Sequence, residues 1–264
     1  MSLRKRSSTA RSATSGSLAN RGLAWSAAYT RRVEAIHPRV AERAKEPRYT
    51  VPEAAEFIGR PSSTVRRWAL GHARTHRGRS RRDKPLIRID GVKGDSIPLS
   101  FLNLLELRFL ASYRQRVPLQ SIRRALDFAG SELGIERPLL SVQFKAQGKS
   151  LFLRFAEEGQ DVYLMNASNR GQLAWPVALD DFIESIDYEQ QTAHRWWPLG
   201  RTEPVIVDTF LNGGRPSTAL AGVRTQAIAV QRGTEGLSVP AIADDVGASE
   251  VEVRAALRFE GIAA

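Results

Sequence analysis

Apolar residues recur at helical spacing in two short segments between residues 49 and 71. The apolar positions of these segments are Ala54, Ala55, Phe57, Ile58, Val65, Trp68 and Ala69. Thr50 can cap the first segment and Glu53 completes a capping box, while Gly59 ends the segment because glycine readily adopts positive φ. The pattern predicts two short helices joined by a tight turn, which is a helix-turn-helix.

The second predicted helix presents short hydroxyls near its N-terminus and two guanidinium groups one turn later. Hydroxyls and helix N-terminal amides suit phosphate, and arginine binds guanine edges or phosphate. We therefore predict DNA contacts from this helix and include the two residues that open the motif. The DNA-binding candidates of the motif are Tyr49, Thr50, Ser62, Ser63, Thr64, Arg66 and Arg67. The alternative is a plain helical hairpin with a solvated polar face.

A strongly basic segment follows the second helix. Residues 72–84 read HARTHRGRSRRDK, with six Lys and Arg against one Asp. We interpret this segment as an irregular loop and residues 86–90, which alternate apolar and polar, as a strand. A recognition helix, a basic loop and a strand together predict a winged helix whose loop tip enters a minor groove. The candidates in the loop are Arg77, Arg79, Arg81 and Arg82. The alternative is a flexible basic linker.

Two longer helices are predicted next, at residues 99–115 and 119–133, with Pro118 between them. The first of them has leucine or phenylalanine on most of its faces. We therefore expect it to be buried or to face a partner, since a surface helix carries a single apolar stripe.

The central part of the chain changes to strand-like patterns that predict a small antiparallel sheet. The expected strands lie at 139–145, 150–155, 161–166, 172–175, 188–198 and 205–208, with one helix at 177–186. The strand at 188–198 ends in Trp196 and Trp197. Two interpretations stay open for this pair: packing at the end of the sheet, or an anchor in a protein interface, where tryptophan is enriched.

The C-terminal part predicts a module of three short helices at residues 225–232, 239–246 and 249–260, with Ser249 and Glu252 forming a capping box. The stretch 235–260 holds six acidic residues against two arginines. An acidic last helix would be repelled by phosphate. We therefore assign this module to protein contact, either self-association or docking of a partner.

Composition limits the chemistry that the chain can perform. Its 264 residues contain 39 Lys and Arg against 28 Asp and Glu, a net charge of +11, and no cysteine. Disulfides, thiolate metal sites and a cysteine nucleophile are excluded. No apolar run approaches the roughly 20 residues of a membrane-spanning helix, and no apolar segment follows the basic N-terminus as in a secretory signal. We expect a cytoplasmic protein with an anionic partner, for which nucleic acid is the first candidate.

The positive charge is concentrated at the front of the chain. Residues 1–88 hold 21 Lys and Arg against six Asp and Glu, whereas residues 89–264 hold 18 against 22. We expect a partly disordered basic arm at 1–48, with a helix within 25–46, then a DNA-binding domain at 49–135, a small sheet at 136–208 and a helical module at 209–264. We also expect residues 1–135 and 136–264 to work as independent halves.

Signatures of catalysis are missing from the sequence. His37, His72, His76 and His194 lack metal-ligand spacing, and residues 212–215 lack the spacing and the Lys-Ser/Thr pair of a phosphate-binding loop. The paired acids are neighbours in sequence, and neighbouring residues on a helix point in different directions. We predict a protein that is not an enzyme and has no cofactor or metal.

Residues 49–135 resemble the N-terminal domain of MerR-type regulators. The resemblance rests on the tyrosine–threonine opening, the Glu-Ala-Ala helix, the Arg-Arg-Trp helix, the expected wing and the helix pair that follows. One feature departs from that family, because no sustained heptads of a dimerising coiled coil follow residue 133.

The C-terminal module resembles a small domain found in VapB-type antitoxins. The matching parts are Gly214-Arg215-Pro216, Gly222-Val223-Arg224, Ile242-Ala243 and Val253-Arg254-Ala255-Ala256-Leu257. The whole arrangement of MerR-like head, small sheet and this tail resembles the long VapB-type antitoxins encoded beside a PIN-domain ribonuclease toxin. That resemblance implies an arginine in the acidic metal site of the toxin. The toxin-binding candidates are Trp196, Trp197, Arg201, Arg215 and Arg224.

We therefore expect an α+β antitoxin: an N-terminal winged helix-turn-helix, a small antiparallel sheet and a C-terminal three-helix module. Its expected partners are operator DNA, through which it represses its own operon, the cognate PIN-domain ribonuclease toxin and a second copy of the chain, as a homodimer or in a larger toxin–antitoxin assembly. A stand-alone MerR-like regulator with a ligand- or partner-binding C-terminal half is the alternative. A nucleoid or phage accessory protein without a toxin is a third possibility.

Overall fold

A computed structural model of the chain describes residues 39–76, 79–89, 96–113, 119–131, 134, 136–140 and 181–263. Its helices and small antiparallel sheets confirm the α+β class. The helices are α1 Val40–Lys45, α2 Val51–Ile58, α3 Ser62–Leu70, α4 Phe101–Tyr113, α5 Leu119–Ser131, α6 Thr225–Thr234, α7 Val239–Val246 and α8 Glu250–Phe259. The strands are β1 Pro47–Tyr49, β2 His72–His76, β3 Arg79–Asp83, β4 Leu99–Ser100, β5 Ile186–Glu189, β6 Thr192–Trp196, β7 Val205–Asp208 and β8 Ser217–Thr218.

The helix-turn-helix forms as the sequence predicts. The Thr50 side chain accepts a hydrogen bond from the backbone N–H of Glu53, and the Glu53 carboxylate accepts one from the N–H of Thr50, so the capping box is complete. Gly59 ends α2 in the left-handed conformation, with φ 63°. Helix α3 buries Val65, Trp68 and Ala69 against the rest of the core.

The basic segment after α3 is more regular than the sequence predicts. Strands β2 and β3 pair as an antiparallel hairpin in which His72 lies opposite Asp83 and His76 opposite Arg79. The strand expected at 86–90 is wrong where the structure describes it, because residues 86–89 are irregular. Leu86 and Ile87 are buried, and the Leu86 N–H donates to the Trp68 carbonyl at 2.8 Å. The apolar pattern of this segment therefore reflects packing against α3 and not pairing with another strand.

Helix α4 is buried over most of its surface, which confirms the expectation from its leucine-rich sequence. Its buried polar groups are all satisfied. Asn103 accepts from the N–H and hydroxyl of Ser100 and donates to Glu106, and the Glu106 carboxylate pairs with Arg137 at 2.7 Å. Because unpaired buried polar groups are costly, this network fixes α4 in one position.

The second half of the chain contributes a four-stranded sheet in the order β5-β6-β7-β8. The strand expected at 188–198 is wrong as one strand, since its first two residues belong to β5, which pairs with β6 as an antiparallel hairpin. The chain turns at Gln190 and Gln191, both with positive φ. Glutamine is not typical of such turns, so the sequence carried no turn signal. The strand expected at 205–208 is confirmed as β7.

Other expectations fall partly or wholly outside the described residues. The strand expected at 139–145 begins instead in a 3₁₀ turn, Pro138–Leu140, where a proline favours a turn, and its later residues are outside. The strands expected at 150–155, 161–166 and 172–175 also lie outside. Of the helix expected at 177–186, residues 181–184 are helical and Ile186 already belongs to β5. The arm up to residue 38 is outside, and α1 accounts for the end of the helix expected within 25–46.

Residues from both expected halves share one hydrophobic core. Val65 and Trp68 of the helix-turn-helix belong to the same buried cluster as Phe182, Trp196 and Val207. The Phe109 and Phe182 rings meet edge to face, with centroids 5.5 Å apart. The described residues between 39 and 198, together with residues 206–217, accordingly form one compact unit. A cut at residue 135 would divide this core, which argues against the expectation of independent halves.

The second compact unit contains the C-terminal helical module. Helices α6, α7 and α8 enclose their own apolar core, formed by Ile228, Ile242, Val253 and Leu257 among others. Glu252 is 2% exposed, and its carboxylate accepts from the N–H groups of Leu220 and Ala221 as well as from Ser249. This buried carboxylate therefore joins the start of α8 to the turn that precedes α6.

The shared core predicts which truncations fold. A chain that ends at residue 135 loses Phe182, Trp196 and Val207, and we expect it to show no cooperative thermal unfolding by circular dichroism. A chain that ends at residue 217 keeps the whole first unit and is expected to unfold cooperatively. Cooperative unfolding of the shorter chain, with a midpoint like that of the longer one, would contradict the shared core.

Candidate nucleic-acid interface

Helix α3 offers a polar face of the kind that reads DNA. Ser63 and Arg66 are exposed on it, and Ser62, Thr64 and Arg67 are partly exposed. Arg66 forms no hydrogen bond or ion pair with any side chain that the structure describes. The face thus combines hydroxyl groups at the helix start with guanidinium groups one turn later, a combination suited to phosphate and base edges.

The helix that carries this face is firmly held. Val65 is 0% and Trp68 1% exposed on its inner side. Arg60, in the turn before α3, donates to the carbonyl of Ala111 in α4 at 2.6 Å. The start of α3 is therefore held to α4 by Arg60. Its last turn is held by the Leu86 N–H, which donates to the Trp68 carbonyl.

The β2–β3 hairpin follows α3 directly, in the position where the sequence predicts a wing. The hairpin brings Arg81 of β3 opposite Arg74 of β2, and Arg82 opposite Ala73. Arg79 opens β3, whereas Arg77 lies outside the described residues. Basic residues thus populate both strands of the hairpin.

Tyr49, one of the DNA-binding candidates, is buried. It is 3% exposed, and its hydroxyl donates to the Gly214 carbonyl at 2.7 Å. Burial raises the pKa of Tyr49 well above 10, so the hydroxyl keeps its proton and stays a donor. Gly214 has φ +80°, and a Cβ there would lie 2.4 Å from the Tyr49 hydroxyl, so glycine is required at this contact. Tyr49 positions the motif and does not face solvent.

The capping box of α2 is joined to a residue far along the chain. The Arg215 guanidinium lies 2.6 Å from the Glu53 carboxylate and over the Tyr49 ring, 5.4 Å from its centroid. Partial burial by itself would raise the pKa of Glu53. Hydrogen bonds from the Thr50 N–H, the Arg215 guanidinium and the Thr50 hydroxyl outweigh it and hold that pKa below 4.5. We call these four residues, Tyr49, Glu53, Gly214 and Arg215, the clamp.

The clamp brings together residues that the sequence assigned to different partners. Tyr49 and Thr50 are DNA-binding candidates, and Arg215 is a toxin-binding candidate, yet Arg215 and Glu53 pair across 162 positions of the chain. Nothing local in the sequence marks Glu53 and Gly214 as partners, because contacts at this separation depend on the fold. The sequence analysis therefore did not predict the contacts of Glu53 with Arg215 and of Gly214 with Tyr49.

Trp196, the last residue of β6, and Trp197, which follows it, lie in the interior. Trp196 is 2% and Trp197 1% exposed, and the Trp197 indole N–H donates to Asp187. The same Asp187 pairs with the buried Arg195, which also pairs with Asp208. This burial favours packing over an exposed anchor. Of the other toxin-binding candidates, Arg224 is exposed and Arg201 partly exposed.

The described residues contain neither a metal-binding cluster nor a membrane-spanning helix. Within the described ranges, no group of three or more His, Asp or Glu side chains is placed to hold a metal ion. Burial, together with the neighbouring Arg195, lowers the pKa of His194 below 6.5. Each helix that the structure describes is too short or too polar to span a bilayer.

Comparison with known proteins places these features in context. Residues 47–126 match a family described as "Putative DNA-binding HTH domain". The chain is 26% identical over 223 residues to "Putative antitoxin VapB45" of Mycobacterium tuberculosis, a match that covers 80% of this chain and 92% of that protein. The crystal structure of Rv2018 from Mycobacterium tuberculosis has a TM-score of 0.57 at 22% identity, over 80% of this chain and 97% of that one.

The chain carries a helix-turn-helix domain of a DNA-binding type, and over most of its length it is similar to a putative antitoxin. The solved structure shows that the fold is shared.

The clamp predicts a pH-dependent coupling between Glu53 and Arg215. In a double-mutant cycle with Glu53→Gln and Arg215→Ala, we expect a coupling of about 0.5–1 kcal/mol at pH 7, since both side chains are partly exposed. A carboxylate with a lowered pKa stabilises the fold above its unfolded pKa, and this stability is lost as pH falls through its folded pKa. The coupling measured by urea unfolding is therefore expected to be smaller at about pH 3 than at pH 7.

Tyr49→Phe is the matched control for this cycle. It leaves the Gly214 carbonyl without its donor and should cost about 1–3 kcal/mol. Because Tyr49 stays protonated, that cost should be the same at both pH values. A Glu53–Arg215 coupling that is equally insensitive to pH would contradict the ion pair.

Proposed function

We propose that the protein is the antitoxin of a type II toxin–antitoxin pair, which binds operator DNA to repress its own operon and inhibits a PIN-domain ribonuclease toxin. The exposed face of α3 carries the DNA part of this proposal. The similarity to a putative antitoxin over most of both chains supports the toxin part.

The DNA-binding unit is proposed to be a MerR-like winged helix-turn-helix. In this arrangement Ser63 and Arg66 of α3 enter the major groove, and the β2–β3 hairpin acts as the wing along the neighbouring backbone. The basic residues of the hairpin neutralise phosphates, which adds affinity without sequence preference. As a dimer, the protein presents two such helices to the half-sites of a palindrome.

The clamp has a positioning role in DNA binding. Tyr49 and Thr50 precede the first turn of α2, whose start sets the orientation of the whole motif. Since the Thr50 N–H donates a hydrogen bond to the Glu53 carboxylate, it is not available to a phosphate. We assign Tyr49 and Thr50 to positioning, and direct contact to α3 and the hairpin.

The toxin-binding surface is proposed to include Arg224. Its side chain is exposed, whereas Arg215 is engaged by Glu53 and the two tryptophans are buried. An exposed guanidinium can enter the acidic metal site of a PIN-domain nuclease and pair with its carboxylates. Arg201 is the second candidate for this role.

The DNA proposal predicts a specific loss on Arg66→Ala. At a base-contacting position the change should weaken operator binding by about 1–3 kcal/mol and relax the sequence preference there. The measurement is fluorescence anisotropy with operator and random duplexes at fixed salt. Arg39→Ala removes an exposed arginine outside the motif and serves as the control. Equal operator affinity for both variants would remove α3 from the DNA interface.

The toxin proposal predicts that the protein co-purifies with the product of the neighbouring reading frame and inhibits its ribonuclease activity. Arg224→Glu should abolish inhibition, because it places a carboxylate against an acidic site, while operator binding is kept. Arg39→Glu makes the same change of charge elsewhere and should inhibit like the unaltered protein. Full inhibition by the Arg224 variant would exclude this residue from the toxin interface.

A further inference from the structure

The chain contains a second helix-turn-helix that corresponds residue by residue to the first. The segment from Ser238 to Phe259 aligns with the segment from Thr50 to Gly71 without a gap. The equivalent pairs include Val51 and Val239, Pro52 and Pro240, Gly59 and Gly247, Val65 and Val253, and Arg66 and Arg254.

The two backbones share the same local geometry. The first N-caps have φ −79° and ψ 163° at Thr50, and φ −71° and ψ 157° at Ser238. The turn glycines have φ 63° and 64°, and the residue after each bonds back to the equivalent carbonyl, Arg60 to Ala55 at 2.9 Å and Ala248 to Ala243 at 3.0 Å. The two motifs are therefore the same scaffold used twice.

The outer faces of the two second helices differ in chemistry. Where α3 has the hydroxyls of Ser62 and Ser63, α8 has Glu250 and Val251, both exposed. The position of Arg66 is kept as the exposed Arg254. A carboxylate and an apolar side chain thus stand where α3 has the groups suited to phosphate, so the outer face of α8 is less suited to DNA than that of α3.

An exposed apolar residue marks the same face of α8. Among the described residues, the large hydrophobic side chains that are exposed are Val251, at 47%, and Val230, at 49%. Both lie in the module of α6, α7 and α8. The buried Glu252 is engaged by Ser249, Leu220 and Ala221, so the surface of α8 around Val251 is set by Glu250 and Arg254.

We propose that this face of α8 is the surface through which two copies of the chain associate, which specifies the dimer in the proposed function. Glu250 and Arg254 lie one helical turn apart, on either side of Val251 along the helix, and pair with each other in a single copy. An antiparallel pair of α8 helices about a two-fold axis brings Glu250 of each copy to Arg254 of the other, with the two valines between them. The face is therefore complementary to itself in charge, as a two-fold interface requires.

The proposal is tested by charge reversal and mixing. Sedimentation velocity of the full chain over a range of concentrations should show a monomer–dimer equilibrium without DNA or toxin. Glu250→Arg makes the face of α8 wholly positive, and Arg254→Glu makes it wholly negative. Because the two copies are identical, each substitution places like charges opposite each other at two points of the interface. We expect either variant alone to raise the dimer dissociation constant at least about tenfold. An equimolar mixture of the two variants should regain dimers, because the faces are then opposite in charge.

Arg66→Glu is the matched control, since it makes the same change at the equivalent position of the first motif. It should leave self-association unchanged and weaken DNA binding. Circular dichroism on each variant establishes that the helices are intact.

Three outcomes would overturn the proposal: wild-type protein that stays monomeric, variants that dimerise like the wild type, or a mixture that fails to regain dimers. Unchanged self-association with weaker DNA binding would assign α8 to DNA instead. Unchanged self-association with weaker nuclease binding would assign it to the toxin. Because association is measured without either ligand, failure here is distinct from failure of the proposed function.

Discussion

The burial of helix α4 is the constraint on which the first unit depends. Leu104, Leu105, Leu107 and Leu110 point away from solvent on different sides of one helix, each 0% exposed. A helix that is apolar all round must be covered on every side, and no single element can do this. The helix-turn-helix therefore packs beside elements that come from the second half of the chain, and the DNA-binding motif is one part of a larger core.

This dependence explains how the candidate DNA interface is positioned. Helix α3 must present its polar face while its inner residues stay buried, and its two ends are held by bonds from Arg60 and Leu86. The start of α2 is held by the clamp, in which Tyr49 and Glu53 meet Gly214 and Arg215. The orientation of the motif thus depends on a loop that follows β7. A change in that loop would reach the start of the motif through the Tyr49–Gly214 hydrogen bond and the Glu53–Arg215 ion pair.

The two helix-turn-helix motifs show how scaffold and surface separate. The turn glycine and the buried valine of the second helix are the same in both, and the first N-cap is a hydroxyl residue in each, since these positions satisfy the same backbone and packing requirements. The outer positions are free of those requirements, and there the hydroxyls of α3 are replaced by Glu250 and Val251 in α8. Equal folds can therefore carry different partners, and the partner has to be argued from the exposed side chains.

Local signals were sufficient for the helices. The capping residues Thr50 and Ser249, the turn glycines and the apolar periodicity determined the bounds of α2, α7 and α8 within a residue or two, because these features act over one or two turns of chain. The same is true of the buried character of α4. Tertiary structure decided the rest. It placed the basic residues after α3 in a hairpin, turned the chain at two glutamines, buried Trp196 and Trp197, and joined Arg215 to Glu53. Each of these depends on contacts between residues far apart in sequence, whose energy is realised only once the shared core has formed.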